Sequence, residues 1–236
     1  MYNISEWDHV FKLDPNKTIT DAELKKICTS GTDAIIVGGT DGITFENVMD
    51  LQERIEAYDI SFVLEVSDIE AITLGFDAYF IPLVLNSGDK KWMIDVQHQA
   101  IKEYADVIEW EDMLPEGYCV LNPEAKVFKR TDCSLPDYED VLAYARMAEH
   151  IFRLPVFYME YSGTYGNPGL VKDVARELKN TSLVYGGGIT SEEQASEMAA
   201  YADVIVVGDV IYDNLEVALK TVEAVKSMKM KDGGPS

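Results

Sequence analysis

Tyr185-Gly186-Gly187-Gly188-Ile189-Thr190, followed by Val206-Val207-Gly208-Asp209, decides the fold. Each stretch closes an apolar run with glycine. In barrels of the β/α type, the loops after strands seven and eight commonly hold a phosphate: glycine lets backbone amides approach its oxygens, and a helix N-terminus adds positive potential. Relief of crowding at a strand end is the other use of such glycines. Two of them in this order point to a phosphate-binding barrel and leave its chemistry open.

Working outward, eight strand-like runs appear: His9 to Leu13, Ala34 to Gly38, Phe62 to Val66, Tyr79 to Leu85, Tyr118 to Asn122, Val156 to Tyr161, Leu183 to Tyr185 and Val204 to Gly208. Between most of them lie segments of helical period: Asp21 to Ser30, Phe45 to Tyr58, Lys90 to Tyr104, Asp137 to Ile151, Gly169 to Leu178, Glu192 to Tyr201 and Leu215 to Lys226. This alternation predicts parallel βαβ units and an α/β fold, a (β/α)8 TIM barrel. Capping boxes are expected at Thr20 with Glu23 and at Thr190 with Glu193. The connection from Val66 to Tyr79 is short and contains Gly75, so the third helix is expected to be irregular or missing. The stretch from Asn122 to Pro136 reads as an elaborated loop. Residues 1–228 are expected to form one domain. The polar, glycine-rich tail from Lys226 onward, and 229–236 in particular, is expected to be disordered.

The 236 residues suit one such barrel, and 47% of them are hydrophobic, enough for a large core. A net charge of -22 argues against nucleic-acid binding and against a basic membrane patch, because both need clustered Lys and Arg. No apolar run is long enough for a membrane span, so at most transient membrane contact is expected. The start lacks the layout of a secretory signal, and Cys28, Cys119 and Cys133 show no Cys-x-x-Cys spacing. A cytoplasmic location is the expectation.

Candidate site residues follow from the two-residue period of strands. Val10, Lys12 and Asp14 share one face, with successive members roughly 6 to 7 Å apart. Charges pointing inward near the C-terminal end of a barrel strand read as site residues. Tyr158, Glu160 and Ser162 share a face of the sixth strand, followed by Gly163. A carboxylate there suits a general base, unless Glu160 is only a satisfied structural group. Thr40 and Asp41 reach the same rim after Gly38 and Gly39, although Thr40 or Thr44 also suits a plain helix cap. His9, His98 and His150 share no spacing for metal or triad work and are read as structural.

The set Phe11-Lys12-Leu13-Asp14-Pro15, Val37-Gly38-Gly39-Thr40, Tyr158-Met159-Glu160-Tyr161-Ser162-Gly163, Tyr185-Gly186-Gly187-Gly188-Ile189 and Val207-Gly208-Asp209 resembles the geranylgeranylglyceryl phosphate synthase family, most nearly its bacterial PcrB branch, the heptaprenylglyceryl phosphate synthases. The resemblance runs from Lys12 to Asp209. It implies transfer of a polyprenyl group from its diphosphate to the 3-hydroxyl of sn-glycerol 1-phosphate, with Mg2+, in a homodimeric barrel lacking a normal third helix. It implies Lys12, Tyr158, Met159, Glu160, Tyr161, Ser162, Gly163, Gly188, Gly208 and Asp209 around glycerol phosphate, Asp14 and Thr40 at magnesium, and Glu160 as the base for the attacking hydroxyl. A long donor also needs a groove. Val96, Ala100 and Tyr104 share a helix face, and the small Ala100 is the candidate groove residue. The competing readings are a sugar-phosphate isomerase or lyase, a flavin oxidoreductase and a non-catalytic phosphate-binding barrel.

Overall fold

The computed structural model describes residues 3–232. Eight parallel strands close in sequence order: β1 (His9–Leu13), β2 (Ala34–Val37), β3 (Ser61–Glu65), β4 (Ala78–Val84), β5 (Met113–Val120), β6 (Val156–Glu160), β7 (Ser182–Gly186) and β8 (Val204–Val207). Outside them lie α1 (Asp21–Cys28), α2 (Phe45–Ile55), α3 (Asp95–Tyr104), α4 (Lys126–Arg130), α5 (Tyr138–Arg146), α6 (Pro168–Glu177), α7 (Glu192–Ala199), α8 (Val210–Asp213) and α9 (Leu215–Asp232). Between β3 and β4 there is only a single 3-10 turn, Ile69–Ala71, so the third helix is missing, as expected.

Period-two alternation gives the barrel two cores. Val10, Ile36, Val63, Phe80, Val156 and Val206 point inward, and Trp7 stacks on Phe80 at 6.1 Å to close the N-terminal end. Phe11, Ile35, Leu64, Phe157, Leu183 and Ile205 point outward into the layer beneath the helices. Branched apolar side chains fill the lower interior, as barrels of this type require. The polar face is therefore confined to the C-terminal ends of the strands.

Several local expectations change. β5 begins at Met113, ahead of the expected Tyr118, with Pro115 and Gly117 inside the strand. α7 is capped by Ser191, whose side chain accepts from the Gln194 amide. Gln194 Oε1 in turn accepts from the Thr190 amide and hydroxyl, which displaces the expected Thr190 with Glu193 box by one residue. The Thr20 with Glu23 box is present as expected. The loop after β5 contains the short helix α4. The expected tail is corrected as well: α9 continues to Asp232, pinned where Lys226 meets Asp33 at 2.6 Å and Lys229 donates to the Ala202 carbonyl at 2.6 Å. Residues 233–236 lie outside the described residues. His9 is buried between the Thr32 and Thr221 hydroxyls, and burial lowers its pKa to about 3, in keeping with the structural reading.

A π-helical turn, Met147–Phe152, extends α5 and carries Glu149. Its carboxylate accepts the Lys179, Asn180 and Thr181 amides and the Asn180 side chain, at 2.7 to 3.3 Å. Burial alone would raise its pKa, but these hydrogen bonds outweigh it and bring the group to about 2. A depressed carboxyl pKa stabilises the fold above its unfolded value and loses that contribution as pH falls through the folded one. Glu149→Ala should therefore cost about 2 kcal/mol or more near neutrality in urea unfolding. The gap to wild type should narrow as pH drops from 4.5 towards 2; a gap independent of pH would contradict this account.

Candidate active site

The upper interior holds one cation among three carboxyl groups. Lys12, on the inner face of β1, donates to both oxygens of Glu65 at 2.7 and 2.8 Å. Its ammonium also lies 5.7 Å from the Tyr158 ring and 5.9 Å from the Tyr118 ring. Burial alone would lower its pKa, but Glu65 and Glu160 outweigh burial and hold it above the usual lysine range. Glu116, one inward step below Tyr118 on β5, is fully buried, and neither carboxyl oxygen has a hydrogen-bond partner among the described residues. Burial, reinforced by Glu65 and Glu160 and opposed by Lys12, pushes its pKa well above the usual carboxyl range.

Glu160 ends β6 and is 2% exposed. Its carboxylate accepts the Tyr118 hydroxyl at 2.5 Å, the Ser162 amide at 2.6 Å and the Ser162 hydroxyl at 2.5 Å. These occupy three of the roughly four lone-pair positions a carboxylate offers, leaving about one for a further donor. The Tyr158 hydroxyl lies beside Gly186, where a Cβ would come within 2.2 Å of it. Burial, then Glu160, raises the pKa of both Tyr118 and Tyr158 well above the ordinary phenol value, so both stay protonated.

The glycine loops divide into two kinds. Gly187 and Gly188 have φ of +113° and +67°, and a Cβ on Gly188 would sit 2.0 Å from the Thr164 backbone carbon. Crowding against the loop after β6 requires both. At Gly208, in contrast, a Cβ would meet the Lys12 carbonyl at 3.6 Å and the Lys12 Cβ at 4.0 Å, ordinary contacts. Packing within the chain does not demand glycine there, and an open approach above Lys12 is what its absent side chain provides.

Of the predicted residues, Lys12, Tyr158, Glu160 and Ser162 converge on one polar pocket. Met159 and Tyr161 alternate outward into the outer core, so only their backbones lie toward the rim. Asp209 is largely exposed and pairs with Lys17 at 2.8 Å. Thr40 is not the cap of α2; Thr44 is. Ala100 is half-buried on α3. Glu65, Glu116 and Tyr118 were missed. Extending the two-residue period back from Tyr118 to Glu116, and forward from Val63 to Glu65, is the signal that finds them.

For a metal, the Asp14 carboxylate lies against Gly39, where a Cβ would be 2.7 Å from Asp14 Oδ1, and Thr40 is the next residue. Among the described residues no group of three or more His, Cys, Asp or Glu is arranged to hold a metal. One carboxylate and one hydroxyl fit magnesium, which keeps several waters and commonly takes substrate phosphates as ligands. They do not fit a dedicated all-protein cage.

Residues 2–226 match the PcrB family. The chain belongs to that family. It is 59% identical over 227 residues to a heptaprenylglyceryl phosphate synthase of Anoxybacillus flavithermus, covering 96% of this chain and 98% of the relative. It is 56% identical over 227 residues to one from Geobacillus sp., covering 96% and 100%. Among solved structures, the (S)-3-O-geranylgeranylglyceryl phosphate synthase of Thermoplasma acidophilum, in complex with sn-glycerol-1-phosphate, has a TM-score of 0.82 at 26% identity over 93% of both chains. PcrB membership sets aside the sugar-phosphate isomerase or lyase, the flavin enzyme and the non-catalytic barrel.

Because Lys12 and Glu65 are both largely buried, removing one leaves the other unpaired. Glu65→Ala should destabilise the barrel by about 3 kcal/mol or more, whereas the double variant Lys12→Met with Glu65→Met should recover most of the loss. Urea unfolding of the two variants and wild type tests this; an Ala variant as stable as wild type would show that the pair is not coupled.

Proposed function

We propose that the chain is a prenyltransferase that moves a long polyprenyl group, heptaprenyl first among candidates, from its diphosphate to the 3-hydroxyl of sn-glycerol 1-phosphate, giving a prenylglyceryl phosphate ether and diphosphate. The observation that carries this reading is membership of the PcrB family over nearly the whole barrel. The polar pocket supports it. The phosphate monoester is taken by the backbone of the loops after β7 and β8, at Gly188 and Gly208, with Lys12 as its fixed cation. This leaves the free primary hydroxyl directed to Glu160.

In the reaction the acceptor oxygen forms a bond to the first prenyl carbon as that carbon's bond to the diphosphate oxygen breaks. The bonding pair leaves with diphosphate, and the hydroxyl proton passes to Glu160. Glu160 is suited to this because Tyr118 and Ser162 hold its carboxylate in place and leave one acceptor position open. Asp14 and Thr40 are the residues that would hold Mg2+, which when bound neutralises the departing diphosphate. No described helix is long and apolar enough to cross a membrane. The enzyme is further proposed to work as a homodimer in the cytoplasm.

Glu160→Gln keeps the shape and cannot take the proton, so turnover should fall on the order of 10²-fold or more with the barrel still folded. Labelled sn-glycerol 1-phosphate, a ladder of prenyl diphosphates and extraction of lipid products measure reaction, acceptor and chain length together. Near-normal turnover of the variant would remove Glu160 from its role.

The donor's tail leaves the pocket beneath α3, since the packed interior has no room for it. Val96, Ala100 and Tyr104 form the half-buried side of that helix, while Ile101 is exposed. Ala100→Trp should keep activity with a geranylgeranyl donor and lose it with a heptaprenyl donor. An unchanged ratio between the two donors would place the groove elsewhere.

A further inference from the structure

The rim where Asp14 and Thr40 meet is acidic, and its neighbours Asp41 and Asp68 make it more so. A diphosphate arriving there needs cations beyond one divalent metal, because a chain of net charge -22 supplies no attractive field of its own. Lys12 is buried against Glu65 and assigned above to the acceptor's phosphate, and Lys17 pairs with Asp209, at the end of β8 beside that phosphate's loops. One guanidinium remains at this rim. Arg130, the last residue of α4, reaches across the barrel mouth and donates to the Thr40 carbonyl and, at 3.2 Å, to Asp68 Oδ2. Asp41 Oδ1 lies 4.0 Å away, and Lys126 of the same short helix pairs with Asp41 at 3.2 Å.

Two features separate Arg130 from an ordinary surface cation. Its mounting is fixed. Val127 and Phe128 of α4 pack onto the interior apolar cluster together with Trp92, and the guanidinium carbon lies 5.7 Å from the Trp92 ring. The segment after it is tied down where Ser87 donates to the Thr131 carbonyl at 2.6 Å and the Gly88 amide donates to the Asp132 carbonyl at 2.8 Å. Its partners, however, are poor matches. A guanidinium offers five donors in a fork suited to two parallel oxygens, and here it meets one backbone carbonyl and one oxygen each of two different carboxylates. Ion pairs this exposed are worth about 1 kcal/mol or less, so a more highly charged anion displaces them readily.

We propose that Arg130, seconded by Lys126, binds the diphosphate of the prenyl donor, and that its contacts with Asp41 and Asp68 hold it in place until that anion arrives. The inference rests on the reaction proposed above and assigns the donor's head group to residues on the loops after β2, β3 and β5. The acceptor's phosphate lies on the opposite side, at the loops after β7 and β8. Donor and acceptor binding are therefore separable by mutation.

The test uses the full chain as wild type, Arg130→Gln and Arg130→Lys. Inorganic pyrophosphate binding is measured by calorimetry with and without magnesium, KM is measured for each substrate, and urea unfolding checks folding. Arg130→Gln should weaken pyrophosphate binding about tenfold and raise the donor KM in step, with the KM for sn-glycerol 1-phosphate unmoved. Arg130→Lys, which keeps charge without the fork, should show a smaller loss in the same direction, and it carries the test if the Gln variant does not fold. Unchanged pyrophosphate affinity in the folded variants overturns the proposal, as does an equal rise in both KM values, which would mark Arg130 as a prop for the rim. A wild type that binds pyrophosphate through Arg130 yet forms no prenyl ether leaves this inference standing and overturns the assigned reaction.

Discussion

Lys12 stands in the barrel with Glu65, Glu160 and Glu116 around it, and the remaining features of the pocket adjust to that imbalance of charge. A lysine taken out of water keeps its proton only where carboxylates offset the cost of desolvation, and Glu65 does so through two short hydrogen bonds. Glu116 has no hydrogen-bond partner among the described residues, and burial, reinforced by Glu65, pushes its pKa well above the usual carboxyl range. Glu160 is instead supplied with donors from Tyr118 and Ser162. Two carboxyl groups on the inner faces of neighbouring strands thus differ in character because one is surrounded by donors and the other by apolar side chains and like charge.

The acceptor end of the pocket is rigid for a reason separate from electrostatics. The loop after β7 crosses the loop after β6 so closely that side chains at Gly187 and Gly188 would collide with backbone atoms of Tyr161 and Thr164. Tyr158 fills the space left by Gly186, and the Tyr185 hydroxyl accepts the Gly166 amide at 2.8 Å, joining the same two loops. The donor side differs. α3 has no fully buried residue, and Ile94, Ile101, Val107 and Trp110 in and around it are exposed. The reaction proposed above, with a small acceptor and a long apolar donor, suits this division between a crowded end and a loosely packed one.

How much of this could be read from sequence depends on whether the signal was local. The strand-end glycines, the inward pair of Lys12 and Asp14, and the alternation of Tyr158, Glu160 and Ser162 all lie within single strands and were legible. The missing third helix was legible too, because too few residues separate Val66 from Tyr79. Glu116 was concealed between Pro115 and Gly117, both strand breakers in isolation; Pro115 is tolerated because it pairs only with Ile81 of β4, and pairing with β6 begins at Glu116. Glu65 looked like the polar end of an apolar run, and only closure of the barrel brings it to Lys12. The tail failed for the same reason: its composition is that of a disordered segment, and the contacts that hold α9 as a helix come from Asp33 and Ala202, distant in the chain.

Charge then links the pocket to the molecule as a whole. A chain carrying -22 repels phosphorylated ligands at long range, so whatever affinity it has must come from contacts made within a few ångströms. On the proposed acceptor side those contacts would be uncharged amides together with Lys12, whose charge is already balanced by Glu65. Amides cost less to bury than charges and do not raise the net charge of the interior, so glycine loops suit a place where further lysines would need further carboxylates. On the donor side the rim is open to water, so an exposed Arg130 and Lys126 can be balanced by Asp41 and Asp68 at little cost and exchanged for another anion. The same excess of acid is thus handled by permanent pairing inside the barrel and by exchangeable pairing at its mouth.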